Sequence, residues 1–284
     1  MRMRAAPPHP PCPLPANWAV RHDPPGDGVA NMAADAALPG WAASHGCGVV
    51  RVYGWARPTV SFGRHEAAAG RFTPASLAAA GVEAVRRPTG GRALLHHREV
   101  TYAVALPLPP EAGWRAAYAA VNARLVVALR ALGVPAELAP APGAMEAGGT
   151  EAGGATPATA PLCFEAPAQG EVMVAGRKLV GSAVWREGAG YLQHGSILLV
   201  DDQALLVRAA AVPLAPPPPA AASATLVPEL TADAVARALM AALTAPAADV
   251  SAPHPRPFVR TAALQDAEAR HARQLGDPAW LWRR

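Results

Sequence analysis

The chain has 284 residues, with 51% hydrophobic and 16% charged side chains and a formal net charge of +4. That length buries a sizeable core, and a mild positive charge without a run of Lys or Arg gives no support to nucleic acid as a partner. No stretch of about 18 uncharged apolar residues offers a membrane span, and the proline-rich start lacks the apolar segment of a secretory signal, so the expected compartment is the cytoplasm.

In chain order, residues 1–16 read as a disordered arm. Asn31 to Leu38 predicts a short helix stopped by Gly40, and Val49 to Tyr53 and Thr59 to Phe62 predict strands. Thr73-Pro74 opens a helix, since threonine caps free amides and proline suits a first turn, and Gly81 closes it. Val82 to Arg86 returns as a strand, a turn follows at Pro88 to Gly91, and strands are expected at Ala93 to Leu95 and Val100 to Leu106. Tyr118, Val121, Leu125, Ala128 and Leu132 recur at helical spacing, which predicts a helix over 114–132 with Gly133 as its stop. Residues 139–161 are mostly Ala, Gly, Pro, Thr and Glu and read as a flexible insertion. A three-strand meander is expected at 171–174, 177–185 and 191–199, then a linker at 213–219 and helices near 231–243 and 262–275. Hairpins mixed with helices predict an α+β (mixed α/β) fold.

Four segments carry residues suited to chemistry. In Arg86-Arg87-Pro88-Thr89-Gly90-Gly91-Arg92-Ala93-Leu94-Leu95-His96-His97, paired glycines allow close backbone approach and arginines suit an anion or carboxylate. The plainer reading is a turn flanked by surface charge. His96 and His97 are neighbours on a strand and point to opposite faces, so no metal site is expected there. Lys178, the one lysine of the chain, lies in Gly176 to Ala183 among small and apolar residues. It reads either as an electrophile or base, or as a side chain whose stem lies on the sheet and whose head reaches water. In Leu192 to Leu199, alternation puts His194 and Ser196 on one face. Cys163 follows the flexible insertion. A cysteine beside a phenylalanine is usually core, and a nucleophilic thiolate needs a nearby positive charge. Cys12, Cys47 and Cys163 form no paired motif of a zinc site or disulfide framework.

Taken together, these blocks resemble the biotin/lipoate protein ligase superfamily, and within it the cysteine-dependent octanoyltransferases that charge the glycine-cleavage H protein. Arg86 to His97 is similar to the RRPTGGR-x-x-x-H-D signature. Leu162 to Val174, Gly176 to Ala183 and Leu192 to Leu199 are similar to the CF-x-x-P, GRK-x-x-GSA and LQHGSIL blocks, and 31–38 and 52–63 to the opening helix and first strand pair. The resemblance implies a mixed sheet flanked by helices, a catalytic domain over 17–250 and a C-terminal helical segment over 251–284. It implies Cys163 as nucleophile and Lys178 as the active-site lysine, with Arg87, Gly90, Gly91, His96, Gly181, Ser182, His194 and Gly195 binding the acyl chain, and no metal. The implied reaction moves octanoyl from acyl carrier protein, through an acyl-cysteine, to a lysine of the H protein or another lipoyl domain, without a cofactor. Two alternatives share the fold: an ATP-dependent lipoate-protein ligase, which needs ATP and Mg, and a non-catalytic binding subunit. Cys163 and Arg92 favour the transferase, and Cys163 with Lys178 weighs against a non-catalytic subunit. This sequence departs from the pattern at His97, where the family has aspartate, and at Ala168 to Gly170, where bulkier residues are usual.

Overall fold

The computed structural model describes residues 14–140, 170–217, 219–246 and 254–283. The chain opens with β1 (Trp18–His22), α1 (Gly28–His45), β2 (Gly48–Tyr53), β3 (Thr59–Phe62), α2 (Pro74–Ala79), β4 (Glu83–Arg86), β5 (Leu94–His96), β6 (Glu99–Pro107) and α3 (Trp114–Ala131). It continues with β7 (Glu137–Leu138), β8 (Val172–Val174), β9 (Arg177–Lys178), β10 (Val180–Glu187) and β11 (Gly190–Leu198). It ends with α4 (Ala204–Ala209), α5 (Ser223–Leu226), α6 (Ala232–Thr244), β12 (Arg256–Pro257), α7 (Ala262–Leu275) and α8 (Pro278–Leu281).

A six-stranded mixed sheet in the order β10-β11-β6-β2-β1-β12 forms the centre. Helices α3 and α6 cover one face, over Val50, Val104 and Ile197, and α1 and α7 cover the other, over Val49, Ala105 and Leu192. Two three-stranded sheets, β4-β3-β5 and β7-β8-β9, flank it. Among the described residues no helix is long and apolar enough to cross a membrane.

Three expectations need correcting. The helix expected at 31–38 runs from Gly28 to His45, through both Pro39 and Gly40, and ends only at Gly46 in the left-handed conformation (φ +56°). Asp27 starts it by accepting from the Ala30 amide at 2.8 Å. A mid-helix proline normally costs about 3 kcal/mol; here burial of an almost continuous Ala-rich face offsets it, and Pro39 packs its carbonyl against Gly190, which has no Cβ to collide. The expected meander is two hairpins in different sheets, because the chain crosses over at Leu179: β9 pairs with β8, whereas β10 pairs with β11 in the central sheet. Finally, the C-terminal segment is more than helical, since β12 adds a parallel strand beside β1. The expected capping of α2 is present as a reciprocal pair, Thr73 with the Ser76 amide and Ser76 with the Thr73 amide. Much of the insertion expected at 139–161 lies outside the described residues.

Candidate active site

Two cross-strand rows on the α1 face of the central sheet build the floor of the site. Ala183, His194, Ala103, Arg51 and Arg21 stand in register across five strands, and two residues along run Gly181, Ser196, Thr101 and Tyr53. Ala103 and Ala183 are small, which leaves space above the sheet. Met32 of α1 and the loop from Arg87 to Leu94 cover that space. The result is a narrow slot of about 40 Å³.

Polar side chains line the slot, but each is bonded within the protein. His194 Nδ1 lies 2.9 Å from Asp35 Oδ2 and its Nε2 2.7 Å from Thr89 Oγ1. Burial alone would raise the Asp35 carboxyl, but Arg51, His194 and Tyr53 outweigh it and hold it below the usual carboxylate range. An ionised Asp35 takes the Nδ1 proton bond, so Nε2 accepts from the Thr89 hydroxyl. Burial pushes the His194 imidazole below its ordinary value, against the opposing pull of Asp35. Glu99 Oε1 accepts from His96 at 2.8 Å, Thr101 at 2.6 Å and Ser196 at 2.7 Å, and His96 Nε2 reaches Ser61 Oγ at 2.7 Å. Trp55 stacks on His96 with centroids 4.0 Å apart. On the other face, Ser182 is bonded to Tyr102 at 2.8 Å.

The arginines of the Arg86–Arg87 pair are clasps, not the anion holders that the sequence suggested. Arg87 donates to the carbonyls of Ser61, Gly90 and Arg92 and to Ser61 Oγ, at 2.8 to 3.1 Å. Arg86 donates to the carbonyls of Gly63 and Glu66, and to those of Trp280, Leu281 and Arg283 at the end of the chain. The loop takes this shape because Gly63 lies against Gly91: a Cβ on Gly63 would sit 1.9 Å from the Gly91 carbonyl oxygen, and Gly91 itself has φ +100°.

At Gly91, Ser182 and Ala183 the slot opens into a groove of about 620 Å³ along α3. Glu171 lines that groove, and its Oε1 is 2.8 Å from Lys178 Nζ. Lys178 is 5% and Glu171 6% exposed, so the reading of Lys178 as a side chain reaching water does not hold. The backbone beside Glu171 is pinned. Asn122 donates to the Gly170 carbonyl at 2.7 Å, the Ala139 amide donates to the Glu171 carbonyl at 2.8 Å, and Asn122 is itself held by Gln193 at 2.7 Å.

Of the residues expected to bind the acyl chain, Arg87, Gly91, His96, Gly181, Ser182, His194 and Gly195 line the slot, and Gly90 lines the groove. Lys178 lies behind Glu171. Cys163 lies outside the described residues, as does Cys12. Cys47 is buried away from the slot, and burial pushes its thiol up against the opposing effect of Arg256. His97 turns outward to Asp202 at 2.8 Å while His96 turns inward. Among the described residues no group of three or more His, Cys, Asp or Glu is placed to hold a metal ion. Sequence reasoning missed Asp35, Arg51, Glu99 and Glu171. The available signal was a charge standing alone in an apolar run, as in Ala33-Ala34-Asp35-Ala36-Ala37 and Val49-Val50-Arg51-Val52.

Comparison with known proteins adds a family. Residues 27–243 match the family model of the lipoyl protein ligase A/B catalytic domain. The chain is 38% identical over 185 residues to a protein of Carboxydothermus hydrogenoformans named octanoyltransferase LipM, which covers 64% of each chain. It is 41% identical over 197 residues to the protein of that name from Kyrpidia tusciae, covering 66% of this chain and 68% of the relative. Among solved structures, a bipartite lipoate protein ligase from Thermoplasma acidophilum superposes with a TM-score of 0.71 at 17% identity, over 94% of this chain and 96% of that one. A lipoate-protein ligase A bound with ATP gives a TM-score of 0.70 at 18% identity, over 94% and 98%. At those identities the superpositions show the shared fold.

Proposed function

Because this chain belongs to the lipoyl protein ligase A/B catalytic domain family, we propose that it is an octanoyltransferase of lipoate biosynthesis. The octanoyl group passes from an acyl carrier protein to Cys163 and then to a lysine of a lipoyl domain, the glycine-cleavage H protein being the leading acceptor. One observation carries this reading: the slot's polar side chains are already bonded within the protein, so its lining has no need of a polar ligand to satisfy it. The names of the relatives support the same chemistry.

The mechanism divides the transfer into two thioester-level steps. The Cys163 thiolate attacks the donor thioester, and the carrier's thiolate leaves. The acyl-cysteine then meets the acceptor amine. A covalent intermediate makes each step easier than direct transfer. Lys178, buried beside the groove, supplies positive charge to the oxyanion that develops on the acyl carbonyl. Asp35, through His194 and Thr89, holds the glycine loop that roofs the slot. The proposed reaction needs neither ATP nor a metal, and its proposed setting is the cytoplasm.

The test is intact-mass measurement after incubation with octanoyl-carrier protein in the absence of ATP. One octanoyl mass, mapped to the Cys163 peptide and lost in Cys163→Ala, is the expected result. Labelling of Cys47 would remove Cys163 as the nucleophile, and product that forms only with free octanoate, ATP and magnesium would move the assignment to an adenylate-forming ligase.

A further inference from the structure

The slot crosses four strands of the central sheet, from Gly181 and Ala183 on β10 to Tyr53 on β2. At about 4.8 Å between neighbouring strands its length is about 14 Å, which is ample for an eight-carbon chain. Its bore is not. A volume of about 40 Å³ admits roughly three waters, and an octanoyl chain is bulkier than that. A side chain must therefore withdraw before the chain can enter. We infer that Met32 is that side chain, and that the space it keeps for itself sets the length of acyl chain this protein accepts. The inference rests on the reading of the slot as the acyl site.

The rest of the lining has little to give. Gly91, Gly181, Gly195 and Ala183 carry at most a methyl group. The polar side chains are held by hydrogen bonds, and moving any of them would leave a buried polar group unpaired. That leaves Leu94 and Met32. Leu94 is branched, its backbone on β5 is registered against Ser61 of β3, and its side chain packs with Leu198 and Ala220. Met32 is unbranched, with three rotatable bonds and a soft thioether, the side chain best suited to reshape a gap. Its neighbours one turn away on α1 are Gly28 and Ala36, so the helix surface around it leaves room for another rotamer.

Met32 also stands at the end where length is decided. The mouth of the slot is at Gly91, Ser182 and Ala183, where slot and groove meet. Met32 belongs instead to the apolar cluster that contains Tyr53 and Trp55. With the acyl carbonyl at the mouth, the methyl end of the chain meets Met32. The groups around it are fixed: Tyr53 donates to Asp35 at 2.6 Å and Trp55 to Thr101 at 2.7 Å. Met32 is thus the adjustable part of a rigid end wall.

The test is a competition. Parent and variants each receive equal amounts of carrier protein bearing six-, eight- and ten-carbon acyl chains, together with a lipoyl domain. Product masses are compared within the one mixture, so the ratios do not depend on how much of a variant is folded. Met32→Ala frees the far end and should raise the ten- to eight-carbon ratio on the order of 10- to 100-fold. Met32→Phe fills that end and should raise the six- to eight-carbon ratio on the same order. The opposite directions keep the test decisive if one variant yields no product. Ratios equal to the parent's overturn the inference, and so does an equal loss of rate for all three chains, which would make Met32 a packing residue of α1 alone. If the parent transfers none of the three chains, the octanoyltransferase reading itself fails; if the parent transfers them and the variants do not shift the ratios, only the role of Met32 fails.

Discussion

Lys178 and Glu171 form a buried pair, so removing either charge leaves the other in a poor dielectric. Lys178→Ala is therefore expected to lose about 3–5 kcal/mol of stability along with its activity. Joint replacement, Lys178→Met with Glu171→Leu, should restore most of the melting temperature and none of the transfer; chemical denaturation beside an activity assay checks both. His194 gives a second expectation. Its folded pKa lies below the ordinary value of about 6.5 because it is buried. Below that value the unfolded chain takes up a proton that the folded chain refuses. The stability is complete above about pH 6.5 and declines as pH falls below it. Burial lowers His271 as well, with the same sign. His194→Gln should remove its part of the slope in melting temperature between pH 7.5 and 5.5. Asp35, held below the usual range, adds loss only at lower pH, below its unfolded value of about 3.9.

Elements depend on contacts that a local reading does not reveal. Gly63→Ala places a methyl group where the Gly91 carbonyl now sits. It should displace the loop, cost on the order of 1–3 kcal/mol, and abolish acylation while far-UV circular dichroism stays the same. Arg86→Met removes the donors that hold the carbonyls of Trp280, Leu281 and Arg283. Hydrogen exchange should then rise across 278–283 and at Gly63 to Glu66, with β6 and β11 unchanged; uniform protection would show that the clasp is dispensable. Strands β2 to β6, β8 and β11 and the helices α3 and α7 were legible because periodicity and caps are local, as Thr73, Gly81 and Gly133 show, whereas β1, β7 and β12 were not read from the sequence. The length of α1 was hidden, because Pro39 and Gly40 are local breakers, and the helix carries Pro39 by burying it against β11 while Gly40 faces solvent. The split at Leu179 was hidden too, since Arg177 to Trp185 reads as one strand until its partners are known. Of the site, the glycine loop and the His194 strand were legible as motifs. The partners that orient them, Asp35 and Glu99, come from elsewhere in the fold.

Across the whole molecule, the slot is tied to its far side by alternating charges. From His194 the chain of contacts passes to Asp35, Arg51 and Asp23, then to Arg21, Glu268 and Arg260, and so reaches α7 through ion pairs of the α1 face. The C-terminal segment thus braces the site from two directions, through Glu268 in the middle of α7 and through the Arg86 clasp beyond its C-terminal end. Lys178 has one more consequence at this scale. An enzyme that carries an activated acyl group must avoid spending it on itself, and any accessible ε-amine on its own surface is a competing acceptor. In 284 residues this chain has a single lysine, and that one is held by Glu171 at 2.8 Å and is almost wholly withdrawn from solvent. Arginine, which supplies the remaining cationic side chains apart from histidine, stays protonated and does not acylate. The protein thereby presents basic charge without an exposed lysine, and in the proposed reaction the acyl group is conserved until a lysine arrives from outside.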